Sequence, residues 1–246
     1  MWPAKAGLRR KATDKIDTAV RFLRGHWQLV LITLLVFVLW NTPIVLPLKI
    51  LVVFLHEFSH ALAVVLTGGS VESFSISLQQ GGHVTARGGS RFLTLSAGYL
   101  GSLALGMALL IIALRTRSDR AVLGVFGGVM LLVTLLYIRD PFPMIFCAGV
   151  GVAMLAMARY LDRAVCDLVL RIIGLTSMIY VPYDIFDDTL RRPGVRSDAF
   201  MLAEEFGGTT MMWGGVWLVL SCVAIFVCLK YWLGQNSNLR FSFKAR

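Results

Sequence analysis

The chain has 246 residues, of which 57% are hydrophobic and only 15% are charged, and its formal net charge is +10. Because soluble domains carry about a quarter charged residues, this chain has too few polar side chains to cover a surface that faces water. The composition also excludes a disordered chain, a collagen-like fibre and a small disulfide scaffold. We therefore expect an integral membrane protein.

Basic residues are concentrated at both ends of the chain. The two clusters consist of Lys5, Arg9, Arg10, Lys11, Lys15, Arg21 and Arg24 at the start, and Arg240, Lys244 and Arg246 at the end. Basic residues that flank apolar spans usually contact lipid headgroups, so we expect a lipid bilayer as a partner and no nucleic acid. The positive-inside rule places the N-terminus in the cytoplasm, although Arg115, Arg117 and Arg120 would then fall on the outer side.

The first predicted element is an amphipathic helix over 13–26, which has apolar and basic residues on opposite faces and would lie on the membrane surface. A span follows over 27–40, with a tryptophan at each end, where the membrane interface favours this side chain. This run is shorter than the roughly 20 residues that a bilayer needs, so it should continue through 41–43. A second span covers 44–67 and ends at Gly68-Gly69.

Residues 70–93 change from a helical to a strand pattern. Apolar and polar residues alternate from Phe74 to Leu78, Gly81-Gly82 predicts a turn, and residues 83–87 can return as a partner strand. Lipid does not tolerate open sheet edges, so the hairpin must lie at the surface or pack inside the protein.

Five further spans and a polar stretch complete the chain. The spans lie at about 94–114, 121–138, 143–159, 165–183 and 213–233, and the polar stretch occupies 184–212. The expected fold is an all-α polytopic membrane protein with a small β-hairpin and seven transmembrane helices, or six if the first two form one broken element. We divide the chain into a basic N-terminal segment (1–26), a transmembrane domain (27–233) and a basic C-terminal tail (234–246). Short loops and no targeting extension favour the bacterial cytoplasmic membrane.

The second span contains His56-Glu57-Phe58-Ser59-His60. Residues four apart on an α-helix project from nearly the same face, so both imidazoles can bind one Zn²⁺ and leave positions for a third protein ligand and a water. Glu57 lies beside them, where it can take a proton from that water and pass it to a leaving amine.

Ionisable residues in an apolar span are costly in a membrane, and a metal ion would compensate for this cost. The alternative is that His56, Glu57 and His60 only hydrogen-bond to neighbouring helices. For the isolated His26 and His83 we expect polar positions at the surface.

Several motifs together resemble one known family. They are His56-Glu57-Phe58-Ser59-His60-Ala61-Leu62, the Gly68-Gly69 stop, the hairpin with Gly81-Gly82, and Ala97-Gly98-Tyr99-Leu100-Gly101. Over about 28–230, the chain is similar to the site-2 protease family of intramembrane zinc metallopeptidases, and more narrowly to its peptidase M50B-like branch. The resemblance implies one catalytic Zn²⁺, a membrane protein or peptide as substrate, and a hairpin that guides the substrate as an added strand. It also implies that His56 and His60 are metal ligands and that Glu57 is the catalytic base.

Small residues line one face of the third span, at a spacing that lets two membrane helices approach closely. They are Ala97, Gly98, Gly101, Ser102 and Gly106. We hypothesise that this face, with Gly98 and Gly101 nearest the site, packs on the helix that carries His56 and His60 and shields the metal from lipid. The alternative is ordinary packing elsewhere in the bundle.

A catalytic zinc site needs a third protein ligand, and the family usually supplies an aspartate from an Asn-Pro-Asp-Gly-like motif that this chain lacks. The aspartate in Arg139-Asp140-Pro141 fits a turn between spans. Asp184, Asp187 and Asp188 would share one helix face, whereas Asp198 has the context of a helix start. Spacing alone does not rank these acids. The resemblance does, because Ser-Asp-Ala followed by Leu-Ala is similar to a recurrent element of the M50B-like branch, and it makes Asp198 the first choice and Asp184 the second.

The leading hypothesis is a zinc-dependent endopeptidase that cuts membrane-embedded or juxtamembrane protein segments. A first rival is a catalytically inactive, metal-binding membrane scaffold of the same fold, to which the missing third-ligand motif points. Glu57 argues against it, because a purely structural site has little use for a base. A second rival is an ion-handling transporter, but the chain lacks the inverted repeats and paired broken helices typical of that class.

Overall fold

The computed structural model describes the backbone of residues 4–239 and the side chains of residues 20–239. In chain order, the elements of this part are α1 (Ala4–Val38), α2 (Leu46–Leu66), β1 (Ser70–Ile76), β2 (Gly82–Arg87), α3 (Arg91–Arg115), α4 (Asp119–Tyr137), α5 (Pro141–Tyr160), α6 (Arg163–Phe186), a π-helical turn (Asp187–Arg191), α7 (Asp198–Phe206) and α8 (Thr210–Trp232). All helices except α7 are long and apolar enough to cross a membrane, which makes seven candidate spans in the described chain. The expected class, a polytopic helical membrane protein with a small β-hairpin, is confirmed.

Helix α1 runs without a break through the boundary predicted at residue 26. No proline lies between residues 13 and 40, and Gly25 alone costs only about 1 kcal/mol of helix stability. The structure therefore joins the predicted surface helix and the first span into one element. The side chains up to residue 19 and those of Arg240, Lys244 and Arg246 lie outside the described residues. A location of 13–26 on the membrane surface stays a prediction.

The described residues after α8, up to residue 239, pack along α1. The Ser237 N–H donates to the Gly25 carbonyl at 2.8 Å, and Ser237 Oγ lies 2.7 Å from His26 Nδ1. A Cβ on Gly25 would collide with the Gln235 carbonyl oxygen, so only glycine permits this approach. His26 is buried, which corrects the expectation of a surface position, whereas His83 is exposed as expected.

The predicted hairpin is present, with its first strand shifted towards the N-terminus, and it packs partly inside the protein. Strand β1 begins at Ser70 and ends at Ile76, and it pairs antiparallel with β2, so that Ile76 lies opposite Gly82. The turn uses residues 77–81, with Gln80 at φ 64°, so it includes Gly81, whereas Gly82 is the first residue of β2. Phe74 is almost completely buried, and its ring packs on Phe54 of α2 with centroids 5.2 Å apart. This packing removes one face of the hairpin from lipid and water.

Contacts between helix termini define two ends of the bundle. At one end, Arg115 Nε at the end of α3 donates to the carbonyl of Trp232 at the end of α8, at 2.8 Å. The segment 235–239 that follows α8 contacts residues 24–28 of α1, so the candidate span of α1, Val20–Val38, starts at this end. At the opposite end, Phe92 at the start of α3 packs on Trp213 at the start of α8, with ring centroids 5.8 Å apart.

Helices α1 and α2 together cross the bundle once. The Ser90 N–H, just before α3, donates to Thr67 Oγ1 at 2.9 Å, so α2 ends beside the start of α3, opposite the end where α1 starts. Two complete crossings would have returned α2 to the end where α1 starts. The arrangement matches the alternative in which the first two spans form one broken element. Helices α2 and α6 are the most buried spans and form the centre of the bundle.

In this topology, the basic residues near the end of α3 agree with the positive-inside rule. Arg115, Arg117 and Arg120 lie at the α3–α4 connection, at the same end of the bundle as the start of α1. Both basic segments can therefore face the same compartment. The expectation for Trp40 was wrong: this residue is only 8% exposed and packs on Tyr180 and Tyr183 of α6, so it is not an interfacial anchor.

Candidate metal centre and active site

Helix α2 carries three of the predicted site residues. It has Pro47 in its first turn, a position that proline favours, and most of its other residues are apolar. His56 and His60 lie one turn apart, with ring centroids 4.7 Å from each other. Glu57 and His60 are buried at 5% and 7% exposure. The local sequence thus forms a helix, and the helix brings both imidazoles to one face.

Asp198 comes to these histidines from α7, the short helix within the predicted polar stretch. Ser197 caps α7 by accepting from the Phe200 N–H at 3.3 Å, so the expected helix start is present. Asp198 Oδ2 also lies 3.0 Å from His56 Nε2 and 3.2 Å from His60 Nε2. Burial raises the pKa of the Asp198 carboxyl, but when the imidazoles are protonated, their charges and hydrogen bonds outweigh burial and hold that pKa below its usual range.

The three side chains fit a zinc ion. Their ligand atoms all lie within 4.8 Å of one another, and they are the one such group of His, Cys, Asp and Glu found among the described residues. Zinc bonds of about 2.0–2.2 Å in a tetrahedron place neighbouring ligand atoms about 3.3–3.6 Å apart. The distances from Asp198 to the two histidines, 3.0 and 3.2 Å, lie just below this range, so a small outward shift of the side chains would accommodate the ion.

The tautomer of His60 supports the same interpretation. His60 Nδ1 lies 2.7 Å from the carbonyl oxygen of Thr94, which can only accept, so Nδ1 carries a proton. In a neutral imidazole, Nε2 then presents a lone pair to the anionic Asp198 oxygen 3.2 Å away. Two lone pairs at this distance repel unless a proton or a metal cation lies between them. A backbone carbonyl at the other ring nitrogen is the usual support of a metal-bound histidine.

Helix α3 packs directly on the centre. A Cβ on Gly98 would collide with His56 Nε2 and lie 2.5 Å from His60 Nε2, and one on Gly101 would lie 2.6 Å from Ser59 Cβ. The hypothesis that these two glycines face the histidine helix therefore agrees with the contacts. The small-residue face as a whole does not stay on α2, because Gly106 packs on Ser177 of α6. Eight residues turn the helix by about 80° beyond two full turns, which moves Gly106 to the next neighbour.

The start of β2 lies on Glu57. A Cβ on Gly82 would lie 2.6 Å from Glu57 Cγ and 2.7 Å from Oε1. Sequence reasoning assigned Gly82 only to a turn and missed this contact. The glycine lets the strand backbone pass close to the carboxylate, so any side chain there would displace Glu57 or the hairpin.

The other candidate aspartates lie elsewhere. Asp140 accepts a hydrogen bond from Ser75 Oγ at 2.6 Å and links the start of α5 to the hairpin. Asp184 hydrogen-bonds to Tyr180 and is not part of the group around His56. Of the two candidates for a third ligand, Asp198 and Asp184, only Asp198 lies within hydrogen-bonding distance of both histidines.

Tyr99 is a neighbour of the centre that residue-level reasoning did not single out. Its ring stands edge-on to His56, with centroids 4.7 Å apart and an interplanar angle of 83°. Its hydroxyl donates to Asp188 Oδ2 at 2.9 Å. The signal was available in the Ala97–Gly101 motif, but nothing in the sequence indicates what the tyrosine contacts.

Comparison with known proteins adds a family to this geometry. The model of the family described as Peptidase M50B-like matches residues 29–228, a stretch that contains His56, Glu57, His60 and Asp198. No curated protein and no solved structure matches the chain.

Proposed function

The chain belongs to the peptidase M50B-like family, within the site-2 protease group, and we propose that it is an intramembrane zinc metallopeptidase. Its substrates would be membrane-embedded or juxtamembrane segments of other proteins. The observation that carries the proposal is the convergence of His56 Nε2 and His60 Nε2 on one oxygen of Asp198, while Nδ1 of His60 is committed to a backbone carbonyl. A donor set of two imidazoles and one carboxylate is typical of catalytic zinc sites.

In this proposal His56, His60 and Asp198 hold one Zn²⁺. When bound, the ion supplies Lewis acidity, which polarises a peptide carbonyl and acidifies a water molecule. Glu57, the next residue after His56, accepts the proton of the attacking water and returns it to the leaving amine. Burial of Glu57 beside Gly82 keeps bulk water from competing for this proton.

The hairpin supplies a place for an extended substrate. Strand β2 pairs only with β1 among the described residues, and most of its side chains are exposed. A free strand edge can pair with an extended peptide, and peptide hydrolysis needs an extended backbone because a helix hides its amides. A segment added along β2 would pass the Glu57 carboxylate at Gly82.

The distribution of basic residues supports an orientation in the membrane. The start of α1 and the α3–α4 connection carry basic residues at one end of the bundle, and we infer that this end faces the cytoplasm. The bacterial cytoplasmic membrane is the location that we propose.

Metal content and the Glu57→Gln variant test the proposal together. The purified full-length chain should contain one equivalent of zinc, and a His56→Ala, His60→Ala double variant should contain none. Glu57→Gln should keep zinc but lose cleavage of tagged single-span membrane proteins expressed beside it in a bacterial host. A metal-free wild-type chain would refute the proposal. Zinc at full occupancy with no cleavage of any tested protein would instead identify an inactive metal-binding scaffold.

A further inference from the structure

The acidic run Asp184-Ile185-Phe186-Asp187-Asp188 at the end of α6 has no role in the proposed mechanism, yet one of its carboxylates reaches the metal centre through a tyrosine. Asp188 Oδ2 accepts the Tyr99 hydroxyl at 2.9 Å, and the Tyr99 ring stands edge-on to His56. We propose that Asp188 and Tyr99 are a positioning pair that fixes the His56 imidazole in its metal-binding orientation. The inference rests on the proposed function only in that His56 is a metal ligand.

The two histidines are held in different ways. The His60 ring is fixed at Nδ1 by the Thr94 carbonyl. Among the described residues, the one hydrogen-bond partner of His56 is Asp198, which contacts the same Nε2 that would bind the metal. The orientation of the His56 ring therefore depends on packing, and the Tyr99 ring is the aromatic neighbour from another helix that contacts it.

Tyr99 is itself immobilised. It is 2% exposed, and on a second side its ring packs on Trp217 of α8, with centroids 5.5 Å apart. The hydrogen bond from the Tyr99 hydroxyl to Asp188 fixes the position of the ring, because a buried phenol needs an acceptor and Asp188 supplies it. Loss of that acceptor would let the ring shift, and the His56 imidazole would follow.

The backbone at Asp188 belongs to a rare element. Residues Asp187–Arg191 form a π-helical turn, a form that is frequent at functional sites. The two oxygens of Asp188 have separate partners, since Oδ1 pairs with Arg192 at 2.7 Å and Oδ2 accepts the Tyr99 hydroxyl. Among the described residues, the ion-pair partners of the preceding Asp187 are Arg191 and Arg192. Asp188 is thus the member of the acidic pair that points to the centre.

A double-mutant cycle on zinc affinity tests the pair. In the purified full-length protein, Tyr99→Phe and Asp188→Ala should each weaken zinc binding about tenfold in competition with a chelator, the lower end of the range for residues that support a ligand. The double variant should bind no more weakly than the poorer single variant, because both changes remove one hydrogen bond. The visible spectrum of the Co²⁺-loaded protein should change in the same variants, since a rotated imidazole alters the ligand field.

Asp187→Ala is the matched control, because it removes a neighbouring carboxylate that does not contact Tyr99, and its zinc affinity should equal that of the wild type. Wild-type affinity in Tyr99→Phe, or effects that multiply in the double variant, would overturn the inference. Tyr99→Phe keeps the ring and decides the question even if Asp188→Ala does not fold. A wild-type chain that binds no zinc would refute the proposed function itself, whereas equal zinc binding by wild type and both variants would refute this inference alone.

Discussion

Two clusters of buried ionisable groups in the described part of the bundle are satisfied in different ways. Near the end where α1 starts, Arg171 forms two hydrogen bonds to Asp167, at 2.5 and 2.9 Å, and a third to the Ser237 carbonyl. Asp119 is fully buried there, and although no hydrogen bond of standard geometry reaches its carboxylate, Arg163 Nε lies 3.0 Å away and neutralises it. Each acid has a cation of the protein as its partner.

At the candidate metal centre, the partners of the buried acid are imidazoles and not a lysine or arginine. Two imidazoles and a carboxylate direct their ligand atoms at one point, and no described Lys or Arg forms an ion pair with Asp198. Burial of an ionisable residue in a membrane protein is therefore, by itself, a weak indicator of a metal-binding or catalytic site. The useful indicator is a buried set of metal-ligand atoms that converge without a lysine or arginine as partner.

The largest expected effect concerns the third ligand, and it tests the contrast between the two buried clusters. Asp198→Ala removes the one carboxylate among the described residues that contacts both histidines, so bound zinc should fall from one equivalent to near zero in metal analysis. Asp184→Ala is the control, since Asp184 contacts Tyr180 instead, and this variant should keep its zinc. Stoichiometric zinc in Asp198→Ala would contradict the assignment of the ligands.

The charge-balanced cluster should affect stability and not metal content. Arg171→Met leaves the buried Asp167 without its partner, and breaking such a pair costs about 3–5 kcal/mol, so the melting temperature in detergent should fall markedly. The exposed pair of Arg191 and Asp187 offers the control, because Arg191→Met should change stability by only about 0–1 kcal/mol. Loss of zinc in folded Arg171→Met protein would mean that the two regions are coupled.

A smaller effect is expected from crowding the centre. Gly98→Ala introduces a Cβ that collides with His56 Nε2 and His60 Nε2, and overpacking of this kind costs about 1–3 kcal/mol. Zinc affinity should fall by about tenfold or more. Gly128→Ala on α4 is the matched control, because nothing lies within 4 Å of its Cβ, and it should bind zinc normally. Unchanged affinity in Gly98→Ala would show that the histidines can move away from α3.

Much of the fold and part of the candidate site could be predicted from the sequence. Hydropathy predicted the spans to within a few residues, and the alternation from Phe74 predicted a hairpin, because both patterns depend on local periodicity. The pairing of His56 with His60 also follows from helix geometry alone. The spacing of Gly98 and Gly101 indicated a close helix contact but not its partner, since small residues permit an approach to any helix.

The errors have a common physical origin. Trp40 resembles an interfacial residue, Gly82 a turn residue and His26 a surface histidine, yet each contacts a segment that is distant in the chain. Six or seven crossings could not be decided from hydropathy, because a run of apolar residues does not reveal whether a helix traverses the bilayer or stops within the bundle.

The sequence by itself determined that this is a membrane protein. It also determined that two imidazoles and the Glu57 carboxylate lie within one helical turn of an apolar span, because composition and helical periodicity are local properties. Only the tertiary structure decided which aspartate meets them, since Asp198 lies 142 residues beyond His56 and reaches it through the packing of α7 on α3 and α8. The same is true of Gly82 on Glu57 and of Tyr99 between His56 and Asp188. Convergence of distant side chains depends on how the helices pack, and no local pattern records that packing.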